Sequence, residues 1–347
     1  MGRLVVALPL VLAGLAAPPS YPDKANLLVV VADGKERPIT TAADWVTRRR
    51  HILDAMQLVM GPLPDAAKGP LDVKVVSEEK TEKFVRKHIT FAVVDGDRLP
   101  AYLLIPTGAK AKLPAVLCLH PTHKELGKGV PAGFGPKEDR HYAVHLAERG
   151  YVTLAPDYVN SGGYAFDPYK AGYASATMKG VVNHRRCVDF LQSLPEVDGE
   201  RIGVLGHSLG GHNAMFVAAF DERLKCVVSN CGFCSFATYM KGDLKGWSHD
   251  GYMPRIRTAY DCEPEKMPFD FPEVVAALAP RPFLASAPVK DHNFDVGGVK
   301  DCVRAALPVY DLLGAKEKLA ANYPDCDHNF PPEVRKVAYD WLDRWLK

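Results

Sequence analysis

The sequence predicts an α/β domain: a mostly parallel central sheet with helices on both faces and an antiparallel edge on its N-terminal side. Three observations predict it. From Ala115 onward, short apolar segments alternate with longer segments of helical spacing, the order that builds parallel strands joined by crossover helices. Before that point three strand-like segments follow one another with no helix between them, and Asp95-Gly96 separates two of them as a hairpin turn. The length of 347 residues, 47% hydrophobic and 24% charged, suits one large domain with a short extension.

Residues 1–17 carry one basic residue, Arg3, then the apolar run Leu4 to Leu15, with Gly14, Ala16 and Ala17 at its end. This is the order of a secretory signal peptide, cleaved after Ala16 or Ala17, so the mature chain is expected to be exported, periplasmic or secreted, with no stable membrane association. The alternative is a retained membrane anchor, against which stand Pro9 and a run short of the about 20 residues that a span needs. Residues 18–70 read as an N-terminal extension. Pro18 to Pro38 is polar and marked by prolines, and Thr40 to Met60 places Trp45, Ile52, Met56 and Val59 at helical spacing before stopping at Gly61-Pro62.

The main domain, 71–347, starts with strands at Leu71 to Val76, His88 to Val94 and Arg98 to Ile105. Alternation then gives strand Ala115 to Leu119, helix Arg140 to Arg149, strand Val152 to Ala155, helix Thr177 to Leu194, strand Ile202 to Leu205 and helix His212 to Ala219. Strands Lys225 to Ser229 and Phe283 to Ala287, helix Val299 to Leu313, strand Leu319 to Tyr323 and helix Pro332 to Leu346 complete it. One segment breaks the pattern. The aromatic-rich insertion at about 233–271 is too long for an ordinary connection and reads as a lid over the site or as a cap packed on the sheet.

The formal charge is only +2, with lysines and arginines scattered, which excludes a nucleic-acid partner. Of eight cysteines, Cys118 and Cys226 fall inside apolar strand patterns and read as small core residues. Cys231-Gly-Phe-Cys234 has neither a second Cys-x-x-Cys to complete a zinc site nor a thioredoxin context, so it is assigned no catalytic role; the count leaves room for one disulfide. No metal or cofactor is expected.

Chemistry enters at Gly206-His207-Ser208-Leu209-Gly210. Gly-x-Ser-x-Gly also arises in ordinary turns, but here a strand precedes it and a helical pattern follows. That context makes Ser208 a nucleophile exposed at a sharp strand-to-helix turn. The following helix aims its free N–H groups at the site, so Leu209 N–H is expected to be half of an oxyanion hole.

Serine needs a base, and the base needs an acid to fix its tautomer. Asp291 follows the strand ending near Ala287 and is the expected acid, with Asp295 in reserve. His328 follows the last strand and is the expected base. His292 belongs to the same Asp-His-Asn-Phe tetrapeptide that recurs around His328, but it sits beside the acid. The second oxyanion donor is expected from His120-Pro121-Thr122-His123. Pro121 has no N–H, so the Thr122 N–H is chosen; His120 and His123 as a metal pair is the alternative. The insertion offers Trp247, Tyr252 and Tyr239 as stacking surface for a sugar or aryl group.

With these residues placed, the chain resembles the α/β-hydrolase superfamily, in particular dienelactone-hydrolase-like and acetyl-xylan-esterase-like serine hydrolases and the related prolyl oligopeptidase catalytic domain. The resemblance runs from about Thr40 to Lys347. It includes Met60-Gly61-Pro62-Leu63-Pro64, the strand Ala101 to Pro106, Arg185 to Leu191, and Arg201-Ile202-Gly203. Dienelactone hydrolases proper use cysteine where Ser208 stands, so their reaction is not carried over. Many relatives have His-Gly-Gly where this chain has His120-Pro121-Thr122, and the chain has no room for the propeller of prolyl oligopeptidases. The resemblance implies hydrolysis of a small-molecule or oligosaccharide carboxylic ester through an acyl-enzyme. The alternatives are a serine peptidase with the same triad and an inactive binding protein. The sequence does not fix the number of copies that associate.

Overall fold

The computed structural model describes residues 18–65, 69–94 and 96–347; the expected leader at 1–17 and Asp95 of the expected hairpin turn lie outside them. The chain opens with an antiparallel hairpin, β1 (Val29–Ala32) and β2 (Lys35–Pro38), closed by Asp33 and Gly34 with φ of 51° and 72°. This hairpin was not expected from the polar, proline-marked stretch around it. Helix α1 (Ala42–Met60) follows, started by a capping box between Thr41 and Asp44. Its Arg48 pairs at 2.6 Å with Glu273, each 1% exposed, and Arg48 also lies over the Tyr21 ring.

A nine-stranded sheet forms the body. Its strands are β3 (Lys74–Lys80), β4 (Phe84–Ala92), β5 (Arg98–Pro106), β6 (Leu113–Leu119), β7 (Val152–Pro156), β8 (Val197–His207), β9 (Leu224–Asn230), β10 (Phe283–Ser286) and β11 (Leu319–Asn322). They lie in the order β11-β10-β9-β8-β6-β7-β5-β4-β3. Pairing is parallel from β11 to β7 and antiparallel from β7 through β5 and β4 to β3. The helices are α2 (Tyr142–Glu148), α3 (Ala176–Ser193), α4 (Leu209–Phe220), α5 (Arg255–Thr258), α6 (Phe271–Ala277), α7 (Val296–Leu312) and α8 (Pro332–Leu346).

Both faces of the inner parallel strands β6, β7, β9 and β10 are largely buried, as crossover helices require, whereas the edge strand β11 is mostly half-buried. Ala115, Leu117 and Leu119 face the core shared with α1, α3, α4, α6 and α7, whereas Val116 and Cys118 face α2 and α8. The first strand of the edge is displaced from its expected position at Leu71 to Val76: β3 starts at Lys74 and is exposed along its length. Val75 and Val76 are an apolar signal without burial, because neither face of β3 is covered at this edge of the sheet.

Between β9 and β10 the insertion runs as short helical turns and α5 before reaching α6. Phe233, Phe236, Leu244, Trp247, Met253, Ile256, Met267, Phe269 and Phe271 are all buried and continuous with the main core. The segment is thus packed on the sheet as a cap. All eight cysteines are free thiols, with Cys118 and Cys226 fully buried. Among the described residues no helix is long and apolar enough to cross a membrane.

Candidate active site

β8 ends at His207 and α4 begins at Leu209, so Ser208 alone makes the turn, at φ 56° and ψ −117°. Such backbone costs about 1–3 kcal/mol and persists only where its surroundings hold it. Here Ser208 N–H donates to Asn230 O at 2.9 Å, and Ser208 O accepts from Gly211 N at 2.8 Å and His212 N at 3.3 Å. The flanking glycines are obligatory for space. A Cβ on Gly206 would overlap the carbonyl of Gly210, and one on Gly210 would overlap that of Leu119. Leu209 N–H, at the first position of α4, has no partner among the described residues and sits at the positive end of the helix dipole.

Asp291 and His328 are brought together by the loops that leave two neighbouring parallel strands. Past the ends of β10 and β11 the chains stay zipped, through Ala287 N to Asn322 O at 2.9 Å, Val289 N to Pro324 O at 2.9 Å and Lys290 N to Cys326 O at 3.1 Å. The next residue is Asp291. Its two carboxylate oxygens lie 3.0 and 2.9 Å from His328 Nδ1, and Oδ1 also accepts from the N–H groups of Asn293 at 2.8 Å and Phe294 at 3.1 Å. Burial alone would raise the Asp291 pKa. The hydrogen bond and charge of His328, with the two backbone donors, outweigh burial and hold it below the usual carboxylate value. An ionised carboxylate only accepts, so Nδ1 carries the proton and Nε2 is the basic nitrogen. The His328 ring lies 5.0 Å from that of His207, the residue before Ser208, and 6.1 Å from Phe294.

The reserve residues are placed elsewhere. Asp295 caps α7, accepting from Gly298 N at 2.7 Å, and His292 is exposed. His120 is an anchor for its loop: Nε2 accepts from Tyr158 N at 2.9 Å, so Nδ1 carries the proton and donates to Pro121 O at 2.7 Å. Both ring nitrogens are consumed, and His123 Nδ1 accepts from Leu126 N at 3.2 Å, so the two histidines do not form a metal pair. Thr122 is exposed in the same loop after β6. Its N–H has no partner among the described residues, and its Oγ1 is 3.4 Å from the Tyr252 hydroxyl.

The aromatic residues divide. Trp247 is 3% exposed and Tyr239 8%, packed by tilted and edge-on ring contacts into a cluster with Phe236, Phe271 and Phe294 rather than offering open faces. Tyr252 is half-buried and borders the Thr122 loop, with His249 at 4.3 Å and His212 at 5.5 Å between ring centroids.

Asn230, fully buried at the end of β9, was not anticipated. Its carbonyl accepts from Ser208 N, and its amide donates to His207 Nδ1 at 2.8 Å and to Asn329 O at 3.1 Å, so one side chain ties the elbow to the His328 loop. Asn329 is held from its other side, where Nδ2 donates to Asp139 at 3.0 Å. An asparagine at a strand end carries no signal of such a role in sequence.

The sequence profile of the prolyl oligopeptidase family matches residues 137–347. YtaP of Bacillus subtilis (strain 168) is 24% identical over 301 residues, covering 83% of this chain and 96% of that one. The carbohydrate esterase MZ0003, from an unknown prokaryotic organism, is 23% identical over 382 residues, covering 90% and 86% of the two chains. Among solved structures, a glucuronoyl esterase from Solibacter usitatus superposes with a TM-score of 0.74 at 21% identity, covering 94% of this chain and 98% of that one. The shared architecture is the α/β-hydrolase fold.

Proposed function

This chain belongs to the prolyl oligopeptidase family, and on that premise we propose that it is a serine hydrolase that cleaves a carboxylic ester, with Ser208 as nucleophile, His328 as base and Asp291 as the acid that orients it. One observation carries the reading. A carboxylate 2.9 Å from His328 Nδ1 fixes the tautomer that leaves Nε2 free to accept a proton, and the ring stands beside the elbow that presents Ser208.

Ser208 Oγ attacks the ester carbonyl while His328 Nε2 takes its proton. The tetrahedral oxyanion is met by Leu209 N–H and Thr122 N–H. The imidazolium then gives the proton to the leaving alcohol, and water, activated by the same base, releases the acid from the acyl-enzyme. The charge on Asp291 stabilises the imidazolium through both stages. The proposed substrate is an ester borne by a carbohydrate, in keeping with the named activities of MZ0003 and the Solibacter enzyme, with Tyr252 the aromatic face most open to it. Export of the mature chain, expected from residues 1–17, suits an ester attached to a polymer too large to enter a cell.

A fluorophosphonate probe tests the chemistry before the substrate is identified. It labels the protein at Ser208 and fails to label Ser208→Ala; equal labelling of both proteins refutes the assignment. Turnover of 4-nitrophenyl acetate with no turnover of aminoacyl anilides separates an esterase from a peptidase, and the reverse result overturns the ester reading.

A further inference from the structure

We infer that Cys231, Asp291 and His328 form an inhibitory binding site for a soft divalent cation of the zinc or cadmium type. The inhibition rests on the hydrolase reading above; the binding does not.

Cys231 follows β9 directly and is 1% exposed. Its backbone is pinned at φ 49°, with its N–H donating to Ser286 O at 2.8 Å at the end of β10. Its Sγ lies 3.4 Å from Asn230 Nδ2 and 3.5 Å from Asn329 O. The sulfur, a carboxylate oxygen of Asp291 and a ring nitrogen of His328 all lie within 4.8 Å of one another. Thiolate, carboxylate and imidazole are the donors that tetrahedral zinc takes, with three protein ligands leaving a fourth position for water. Zinc–ligand bonds of about 2.0–2.3 Å place neighbouring donor atoms about 3.3–3.8 Å apart. The Asp291–His328 contact, now 2.9 Å, must open by about 0.4 Å, and the pairs that include the sulfur, which settle near about 3.5 Å, must close by no more than about 1.3 Å.

In the metal-free protein, burial and the charge and hydrogen bonding of the neighbouring Asp291 carboxylate push the Cys231 thiol well up, so it stays neutral beside the Asp291–His328 pair. A bound cation reverses this by ionising the thiol outright. It takes the Nδ1 lone pair of His328, and the ring proton moves from Nδ1 to Nε2. Only the thiol proton is released to solvent, and no oxidation occurs. The consequence for turnover is specific: Nε2 now carries a hydrogen and cannot accept the proton of Ser208. Hard cations such as magnesium prefer oxygen ligands and have no hold on a thiolate.

The test uses the full chain stripped of metal with a chelator. Zinc or cadmium abolishes 4-nitrophenyl acetate turnover, chelator restores it, and magnesium leaves it unchanged. Each variant is read as the ratio of its activity with and without metal. In Cys231→Ser the concentration for half inhibition rises by at least about tenfold, since even an outer hydrogen-bond partner of a metal ligand is worth that much. Binding is read separately, as the ultraviolet thiolate-to-cadmium band of Ser208→Ala, which is reduced by one thiolate in the Ser208→Ala/Cys231→Ser protein. Equal bands in the two proteins, or equal metal sensitivity in Cys231→Ser and the unchanged chain, overturn the inference. Should Cys231→Ser fail to fold, Cys231→Ala serves for both readings. The cadmium band needs no turnover, so failure of the hydrolase reading and failure of the metal site are told apart.

Discussion

Replacing Asp291 by asparagine tests how the site sets the state of its base. Asp291 Oδ1 accepts from the N–H groups of Asn293 and Phe294, and these two donors are satisfied only by an oxygen. In Asp291→Asn the amide oxygen is therefore held in that position, and the NH₂ group takes the place of Oδ2, 2.9 Å from His328 Nδ1. Oδ1, 3.0 Å from Nδ1, is already occupied by two N–H donors, and the nearer NH₂ would meet a protonated Nδ1 hydrogen to hydrogen, so the ring proton moves to Nε2 and the base is lost. The shape of the site barely changes, and the expected loss lies in kcat: about 10⁴-fold, or about 5 kcal/mol of barrier, with KM little altered. Steady-state hydrolysis of 4-nitrophenyl acetate measures both constants, and an unchanged thermal melt shows that the fold survived. Asp295→Asn is the control, because asparagine caps a helix as well as aspartate does and α7 stays intact with full turnover. If Asp291→Asn keeps more than about a tenth of the kcat, the tautomer argument is wrong.

Three further outcomes are expected. Thr122→Pro removes the exposed N–H and lowers kcat by about 10²–10³-fold, whereas Thr122→Ala keeps the N–H and turns over normally; wild-type kcat in the proline variant moves the oxyanion donor elsewhere. Gly210→Ala forces a methyl group into the Leu119 carbonyl and destabilises the protein by about 3 kcal/mol in urea titrations, and a native midpoint would show that the elbow yields more easily than its packing implies. Burial raises Asp270, the cap of α6, to about 7, against the opposing N–H donors of Phe236 and Phe271. The folded chain thus keeps a proton that the unfolded chain loses near pH 4, so stability falls as pH rises from about 4 to about 7 and then levels. Melting temperatures across that window show the fall in the wild type and a flatter profile in Asp270→Asn; parallel profiles refute the assignment.

Where a local pattern and its tertiary outcome share one cause, the sequence was readable. The inner parallel strands β6, β7, β9 and β10 are apolar because both faces are covered, so alternation with helices revealed them, and Gly206 and Gly210 mark the elbow because only hydrogen fits there. The edge was harder. Val75 and Val76 are apolar but belong to an edge strand with neither face covered, and the β1–β2 hairpin lies in a polar, proline-marked stretch where Asp33-Gly34 is the one signal of its two-residue turn. Trp247 and Tyr239 read as stacking surface because aromatic side chains serve cores and binding faces equally; packing against α6 and Phe294 put them in the core.

The sequence by itself determined the α/β class, the serine on its turn, and the order in which an acid and a histidine follow it, because each depends on contacts among near neighbours in the chain. It named Asp291 ahead of Asp295 but did not show the surroundings of either, nor those of His120, Asn230 and Cys231. Those contacts appear only in the tertiary structure. Two loops zipped beyond β10 and β11 set Asp291 against His328 across 37 residues of chain, and the end of β9 brings Asn230 and Cys231 up behind them. A hydrogen bond has a reach of about 3 Å, and only the folded sheet fixes which polar groups come that close.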